Sequence, residues 1–269
     1  MPTRHAVTRD GVDLVYWTWF GTGPPTLLLH GIGNYGRYWD LFADDVAGRL
    51  ALVAPDARGH GESGRPADGY GPADFTADAL AVLDAEGIER AVVVGHSMGG
   101  LHSINLAARN PERVRALVIV DASPDPLPEG AERAQRLLSG RPARFTGRAE
   151  ARAYLERTSP GYPAAVYENR LAFALREDGG ELVWRSDPRA LARIMSRRMP
   201  TEDRWDALAA IECPTLVVRG TRSNVLSEEV AQEMVRALAD GRLMEVDAGH
   251  NVPLDRPREL ADAAVVLAT

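Results

Sequence analysis

The chain has 269 residues, a formal net charge of −7 and a hydrophobic fraction of 45%, which is enough for one large domain with an insertion or for two small domains. The acidic balance argues against nucleic acid as the main partner. The single cysteine, Cys213, excludes an internal disulfide, and no apolar run approaches the roughly 20 residues that a membrane-spanning helix needs.

The first third of the chain predicts strands that alternate with helices. Residues 5–19 have the pattern of a hairpin that turns at Asp10-Gly11. The apolar runs 26–30 and 51–54 predict buried strands, and a helix is expected between them over residues 38–50. The N-terminal residues lack the apolar core of a signal peptide, so we expect a cytoplasmic protein.

The middle of the chain changes its pattern at residue 123. Helices without intervening strands are predicted near 130–139, 148–157, 163–176 and 188–199, and strand–helix alternation returns at Pro214. We therefore predict a core formed by residues 1–122 and 207–269, with residues 123–206 inserted as a helical cap over the carboxyl ends of the strands. Arginines slightly outnumber acidic residues in the cap, a balance that favours an anionic substrate or simply reflects solvated helix faces.

The segment Gly95-His96-Ser97-Met98-Gly99-Gly100 lies between a predicted strand and a predicted helix. A glycine on each side permits a tight, strained turn that presents the Ser97 hydroxyl at its tip. This geometry suits a nucleophile, although a serine hydroxyl is weak until a base accepts its proton.

Among the six histidines of the chain, His250 is the best candidate for that base, because its loop directly follows the last predicted strand. Such a loop opens at the same edge of the sheet as Ser97. We expect His96 to point into the core, His60 and His102 to have structural roles, and His5 to lie at the surface.

Backbone amides are the expected partners of a developing oxyanion, since they are fixed and do not ionise. Met98 follows the serine at a helix start and offers one amide. Ile32, after His30-Gly31, offers the second.

Four motifs in order are similar to those of the α/β-hydrolase superfamily, in particular its members with a helical cap. They are His30-Gly31, the stretch 56–63 (Asp-Ala-Arg-Gly-His-Gly-Glu-Ser), the Ser97 turn and Gly249-His250. The resemblance covers essentially the whole chain and implies an α/β fold with a mostly parallel eight-stranded sheet flanked by helices.

The resemblance also implies a catalytic acid, and here the chain departs from the commonest pattern. Most members carry this acid after the seventh strand, where the chain has Ser223 and Asn224. The alternative position, after the sixth strand, holds Asp121, which we predict to be the acid, with Ser223 supporting the Asp121–His250 pair. Asp125 is a weaker candidate, and Asp121 could instead merely cap the following turn.

A serine at this turn implies acyl transfer to water without a metal or organic cofactor. The first hypothesis is hydrolysis of a carboxylic ester, thioester or lactone of a small to medium substrate. The alternatives are a C–C bond hydrolase using the same triad, and a non-hydrolytic ligand-binding or lyase-like member of the fold. We expect a small-molecule substrate, no nucleic acid or membrane partner, and a monomer or homodimer.

Overall fold

A computed structural model describes residues 1–197 and 199–269 of the chain. Its strands, in chain order, are β1 (Thr3–Arg9), β2 (Val12–Trp19), β3 (Pro25–Leu29), β4 (Ala51–Pro55), β5 (Ala91–His96), β6 (Val114–Val120), β7 (Arg144–Phe145), β8 (Leu175–Asp178), β9 (Glu181–Trp184), β10 (Thr215–Gly220) and β11 (Gly241–Val246).

The helices follow the same order. They are α1 (Asp40–Val46), α2 (Pro72–Ala85), α3 (Met98–Arg109), α4 (Pro128–Ser139), α5 (Arg148–Thr158), α6 (Ala164–Phe173), α7 (Pro188–Ser196), α8 (Thr201–Ala209), α9 (Glu228–Ala237), α10 (Val252–Asp255) and α11 (Pro257–Ala268), with short 3-10 helices at Gly36–Trp39 and Pro111–Arg113.

The main sheet has eight strands in the order β1-β2-β4-β3-β5-β6-β10-β11. The β1–β2 and β2–β4 pairs are antiparallel, and the other pairs are parallel. At the centre, Val93 of β5 pairs with Leu27 of β3 and with Leu117 of β6. Every residue of β5 is buried, as expected for a strand covered on both faces. This confirms the predicted fold class of a mostly parallel eight-stranded sheet.

Helices cover both faces of this sheet and bury two separate apolar layers. One layer joins the sheet to α2, α3, α8 and α9 through residues such as Leu83, Ile104 and Leu208. The other joins it to α1 and α11 through residues such as Phe42 and Leu260. The sheet is therefore a rigid platform whose strand ends position the loops that follow them.

The inserted segment between β6 and β10 contains helices and also a small sheet. Strands β7, β9 and β8 form an antiparallel three-stranded sheet, so the expectation of helices without strands between them is wrong. Gly179 and Gly180 have φ values of +64° and +86° and form the two-residue turn between β8 and β9. The predicted helix over 163–176 accordingly ends earlier, at Phe173.

The inserted segment, predicted above as a cap, has a small hydrophobic core of its own, in which Phe145, Tyr154 and Tyr167 pack together. Its last helix, α8, continues into the main domain. Helix α8 crosses the predicted boundary at residue 206, and its Leu208 is buried in the layer that contains α3.

Candidate active site

The turn at Ser97 connects the carboxyl end of β5 directly to the first turn of α3. Ser97 has φ +55° and ψ −118°, a backbone conformation that L-residues rarely adopt and that concentrates at functional sites. Gly99 is required because a Cβ there would lie 2.1 Å from the carbonyl oxygen of Leu29. The Ser97 amide donates to the carbonyl of Val120, 3.0 Å away, which ties the turn to the end of β6.

The structure brings Ser97, His250 and Asp121 together in one hydrogen-bonded row. His250 Nε2 lies 3.0 Å from Ser97 Oγ, and His250 Nδ1 lies 2.6 Å from Asp121 Oδ2. A carboxylate at Nδ1 assigns the proton to that nitrogen, so Nε2 presents a lone pair to the serine hydroxyl. This arrangement can transfer the serine proton to the ring.

Asp121 is held by the two strands beside it. It directly follows β6, has φ +45° and is completely buried. Its Oδ1 accepts the Gly220 amide at 3.1 Å, and its Oδ2 accepts the Ser223 hydroxyl at 2.5 Å. These two donors fix the orientation of the carboxylate toward His250.

The other candidates for the acid occupy different positions. Asp125 is exposed, and its backbone amide donates to the Ser123 hydroxyl. Asn224 lies on the wall of the cavity that His250 also lines. The structure thus places Asp121 and Ser223 beside His250 as predicted, and it does not place Asp125 there.

Ile32 and Met98 line the same cavity as Ser97. Met98 is the first residue of α3, so its amide has no acceptor within the helix. Across the described residues, neither amide donates to another protein group. Both residues thus contribute amides without a protein acceptor to the cavity that Ser97 lines.

His96 contributes in a way that the sequence did not reveal. Its Nε2–H donates to the carbonyl oxygen of His250 at 2.9 Å, and its ring stacks on Tyr38 and contacts the His250 ring. Burial lowers the pKa of His96 well below its usual value, so the ring is neutral. His96 thus faces the core, as expected, and also fixes the backbone of His250.

The remaining histidines are structural. His30 Nε2 accepts the Ala57 amide, and burial lowers the pKa of His30 to about 4. Burial also lowers the pKa of His60 and of His102 to about 3. The His102 ring stacks on Phe75 with 4.1 Å between centroids, and His5 bonds Thr18 at the edge of the sheet.

A cavity of about 500 Å³ opens above Ser97 and extends under the cap. Its walls include Tyr154, Tyr162 and Trp184 of the cap, together with several arginines. Phe145 instead packs in the interior of the cap. The volume fits a small to medium ligand.

The described residues contain no cluster of three or more histidine, cysteine, aspartate or glutamate side chains arranged to hold a metal ion. Among the same residues, no helix has the length and apolar character required to cross a bilayer.

Comparison with known proteins identifies the family. The model of the alpha/beta hydrolase family matches residues 26–263. The 3-hydroxybutyrate-oligomer hydrolase of Cupriavidus necator is 31% identical, over 93% of this chain and 91% of its own. Lipase LipV of Mycobacterium tuberculosis is 30% identical, over 93% and 95% of the two chains. The solved structure of E-2-(acetamidomethylene)succinate hydrolase superposes with a TM-score of 0.90 at 26% identity, covering 99% of both chains. The family model, these relatives and the eight-stranded sheet all lead to the same conclusion. The chain belongs to the alpha/beta hydrolase family and is a hydrolase of that fold.

Proposed function

We propose that this hydrolase cleaves a carboxylic ester, thioester or lactone through a covalent acyl-enzyme on Ser97. The observation that carries the proposal is the continuous row from Ser97 Oγ through His250 to Asp121, with distances of 3.0 and 2.6 Å. A lipase among the relatives supports ester hydrolysis.

In the proposed reaction, His250 Nε2 accepts the proton of Ser97 as Oγ attacks the substrate carbonyl carbon. The resulting oxyanion is stabilised by the amides of Ile32 and Met98. The protonated ring then donates its proton to the leaving oxygen or sulfur, and the C–O or C–S bond breaks. The second half repeats these steps with water, which releases the acid and restores Ser97.

Asp121 stabilises the imidazolium and holds its tautomer throughout the cycle. Ser223 and the Gly220 amide support Asp121 in this role, because they occupy the lone pairs that do not face His250. The cap, residues 123–206, closes the cavity above Ser97 and selects the substrate. The complete row of three residues favours hydrolysis over the alternative of a ligand-binding or lyase-like protein.

The test compares wild type with Ser97→Ala on p-nitrophenyl esters from acetate to octanoate. We expect the variant to lose about 10⁴-fold or more in kcat. Ser103→Ala serves as the matched control, since Ser103 lies on α3 and its hydroxyl donates only to the Gly100 carbonyl. The chain-length profile of the wild type would measure the usable depth of the cavity.

A fluorophosphonate probe provides a second readout that does not require the correct ester. We expect it to modify Ser97, as located by peptide mass spectrometry. Equal turnover by wild type and Ser97→Ala would overturn the assignment of the nucleophile. Absence of both turnover and modification would favour the ligand-binding alternative.

A further inference from the structure

The cavity above Ser97 has a strongly unequal charge. Its described lining includes six arginines and a single acidic residue, Asp255. That carboxylate is already engaged, because it accepts the Gly249 amide at 2.9 Å. Arg197 and Arg222 pair with Asp68 and Asp247, which do not line the cavity. The other four arginines still leave the described lining with net positive charge.

Arg141 carries the clearest part of this charge. It lies between α4 and β7, its Nη1 donates to the Ser186 hydroxyl at 3.1 Å, and its guanidinium sits 4.7 Å from the centroid of the Trp184 ring. Both of these partners are neutral. Within residues 1–197 and 199–269, no carboxylate oxygen lies within 4.0 Å of Arg141.

The environment of Arg141 makes this missing counter-ion costly. Burial, assisted by the charge of Arg170, lowers the pKa of Arg141 to about 10. A partly buried cation has a desolvation penalty, and without a counter-ion no attraction within the protein offsets that penalty. The side chain remains charged at neutral pH, and its Nε and Nη2 face no protein acceptor among the described residues.

Arg170, on α6, is the second cation of this kind. Its Nη1 donates to the Ser159 hydroxyl at 3.0 Å, and in the described chain no carboxylate ion pair forms with it. Burial raises the pKa of Tyr38 and of Tyr162. The positive charge of Arg170 opposes this rise in both tyrosines, which shows that it acts on them. Arg170 therefore adds a second positive charge to the lining of the cavity.

Some cap arginines outside the cavity do have carboxylate partners. Arg144 bonds Asp178 at 3.0 Å and Glu181 at 3.2 Å. Arg148 and Arg152 both pair with Glu168. Carboxylates are thus available to arginines of the cap. Arg141 and Arg170, two of the six arginines that line the cavity, have no such partner among the described residues.

The position of Arg141 relates it to the reacting atoms. A Cβ on Gly33 would lie 3.6 Å from Arg141 Nη2, and Gly33 is the neighbour of Ile32. The guanidinium therefore lies over the loop that supplies one of the two amides beside Ser97. Two residues earlier in this loop, a Cβ on Gly31 would lie 3.2 Å from the Cβ of Ser97. The same short loop thus contacts both the guanidinium and Ser97, so one small molecule can reach both.

We propose that the natural substrate carries a carboxylate group that is bound by Arg141, with Arg170 supplying the second positive charge. This inference rests on the proposed ester hydrolysis and names its substrate class. Because Nη1 is occupied by Ser186, the free edge of Nε and Nη2 offers two parallel N–H groups, which match the two oxygens of a carboxylate.

The test uses substrate pairs that differ only in charge. One pair is the mono-p-nitrophenyl ester of adipic acid and its terminal amide, which vary the acyl side. The other is 4-acetoxybenzoate and 4-acetoxybenzamide, which vary the leaving group. The measured quantity is the ratio of kcat/KM for acid over amide, in which general damage to the enzyme cancels.

We expect the wild type to prefer the acid by about tenfold or more in at least one pair, as a charge-assisted hydrogen bond provides. Arg141→Met should bring that ratio close to one, and Arg141→Lys should retain part of it. Arg144→Met, at the first residue of β7 and outside the cavity lining, should keep the wild-type ratio.

Two results would overturn the inference: no preference for the acid in either pair, or a preference that survives Arg141→Met. Failure of the proposed function is separate, since it would leave neither ester hydrolysed in a Ser97-dependent way. In that case, calorimetric titration of adipate and adipamide into wild type and Arg141→Met decides the inference. Binding of adipate that is weakened by Arg141→Met supports it, and equal or absent binding overturns it.

Discussion

His250 is restrained at three points, which together set where its ring can react. Asp121 binds Nδ1, Ser97 faces Nε2, and His96 holds the backbone carbonyl. The side chain is still 26% exposed, so a substrate or a water molecule can reach it. A base that is oriented by fixed partners and open on one side is suited to repeated proton transfer.

Asp121→Asn tests the assignment of the acid. An asparagine cannot accept at both of its terminal atoms while Ser223, Gly220 and His250 all donate. The ring would therefore take the wrong tautomer, and we expect kcat to fall about 10⁴-fold. Steady-state kinetics on the best p-nitrophenyl ester measure this loss.

Asn224→Ala is the matched control for that experiment, because Asn224 belongs to the loop after β10, the region where the resemblance places the acid of most superfamily members. We expect its kcat to change by less than about tenfold. A large loss in Asn224→Ala together with a small loss in Asp121→Asn would reverse the assignment.

At the scale of elements, the β5–Ser97–α3 unit depends on a very close approach between backbones. A Cβ on Gly99 of α3 would lie 2.1 Å from the Leu29 carbonyl oxygen of β3, and β3 is held by strand pairing on both sides. We expect Gly99→Ala to lower the free energy of unfolding by about 3 kcal/mol, as measured by urea denaturation.

Gly147→Ala is the control for this prediction. Gly147 precedes α5, and an added Cβ would find no atom within 4 Å. We expect the free energy of unfolding to fall by less than about 1 kcal/mol. Similar losses in the two variants would show that the close packing at Gly99 is not the cause.

Sequence patterns predicted the strands of the main sheet well, because each of the buried strands is a short apolar run that can be recognised on its own. The positions of Asp121 and Ser223 came from the resemblance to the α/β-hydrolase superfamily, which implied an acid after the sixth strand and a supporting serine after the seventh. In the structure, Asp121 Oδ2 lies within hydrogen-bond distance of both His250 Nδ1 and Ser223 Oγ.

The cap was predicted less well, for a physical reason. Its strands β8 and β9 have four residues each, too short for a clear period of two, and Leu171 and Ala174 extended the helical spacing into them. Gly179-Gly180 was the signal for a hairpin turn. Arg141 could not be placed at all, because its direction depends on how the cap elements pack against one another.

For the molecule as a whole, buried neutral histidines predict a fold that weakens in acid. The ordinary pKa of 6.5 falls to about 4 in His30 and to about 3 in His60 and His102. Below pH 6.5 the unfolded chain binds protons that the folded chain does not, so their contribution to stability is present above that pH and lost as the pH falls toward 4. Asp56 acts in the opposite sense, since burial raises its pKa to about 6, and it offsets only part of the loss.

His102→Phe isolates one of these contributions. Neither ring nitrogen of His102 has a hydrogen-bond partner in the described chain, so phenylalanine can keep the stacking on Phe75. The free energy of unfolding is measured in urea at several pH values between 6 and 4. Its slope against pH should be smaller in His102→Phe than in the wild type by about 1.4 kcal/mol per pH unit. His5→Gln, at the edge of the sheet, is the control; an unchanged slope in His102→Phe would contradict the prediction.

The left-handed backbone at Ser97 has opposite consequences for the stability of the fold and for the proposed chemistry. A side chain at φ +55° costs about 1 to 3 kcal/mol that glycine would not incur. Glycine at position 97 would relax the turn and also remove the hydroxyl on which the proposed reaction depends. The most stable sequence for this fold and the sequence able to perform the chemistry therefore differ at this residue, and the rest of the molecule supplies the stability that holds the serine in place.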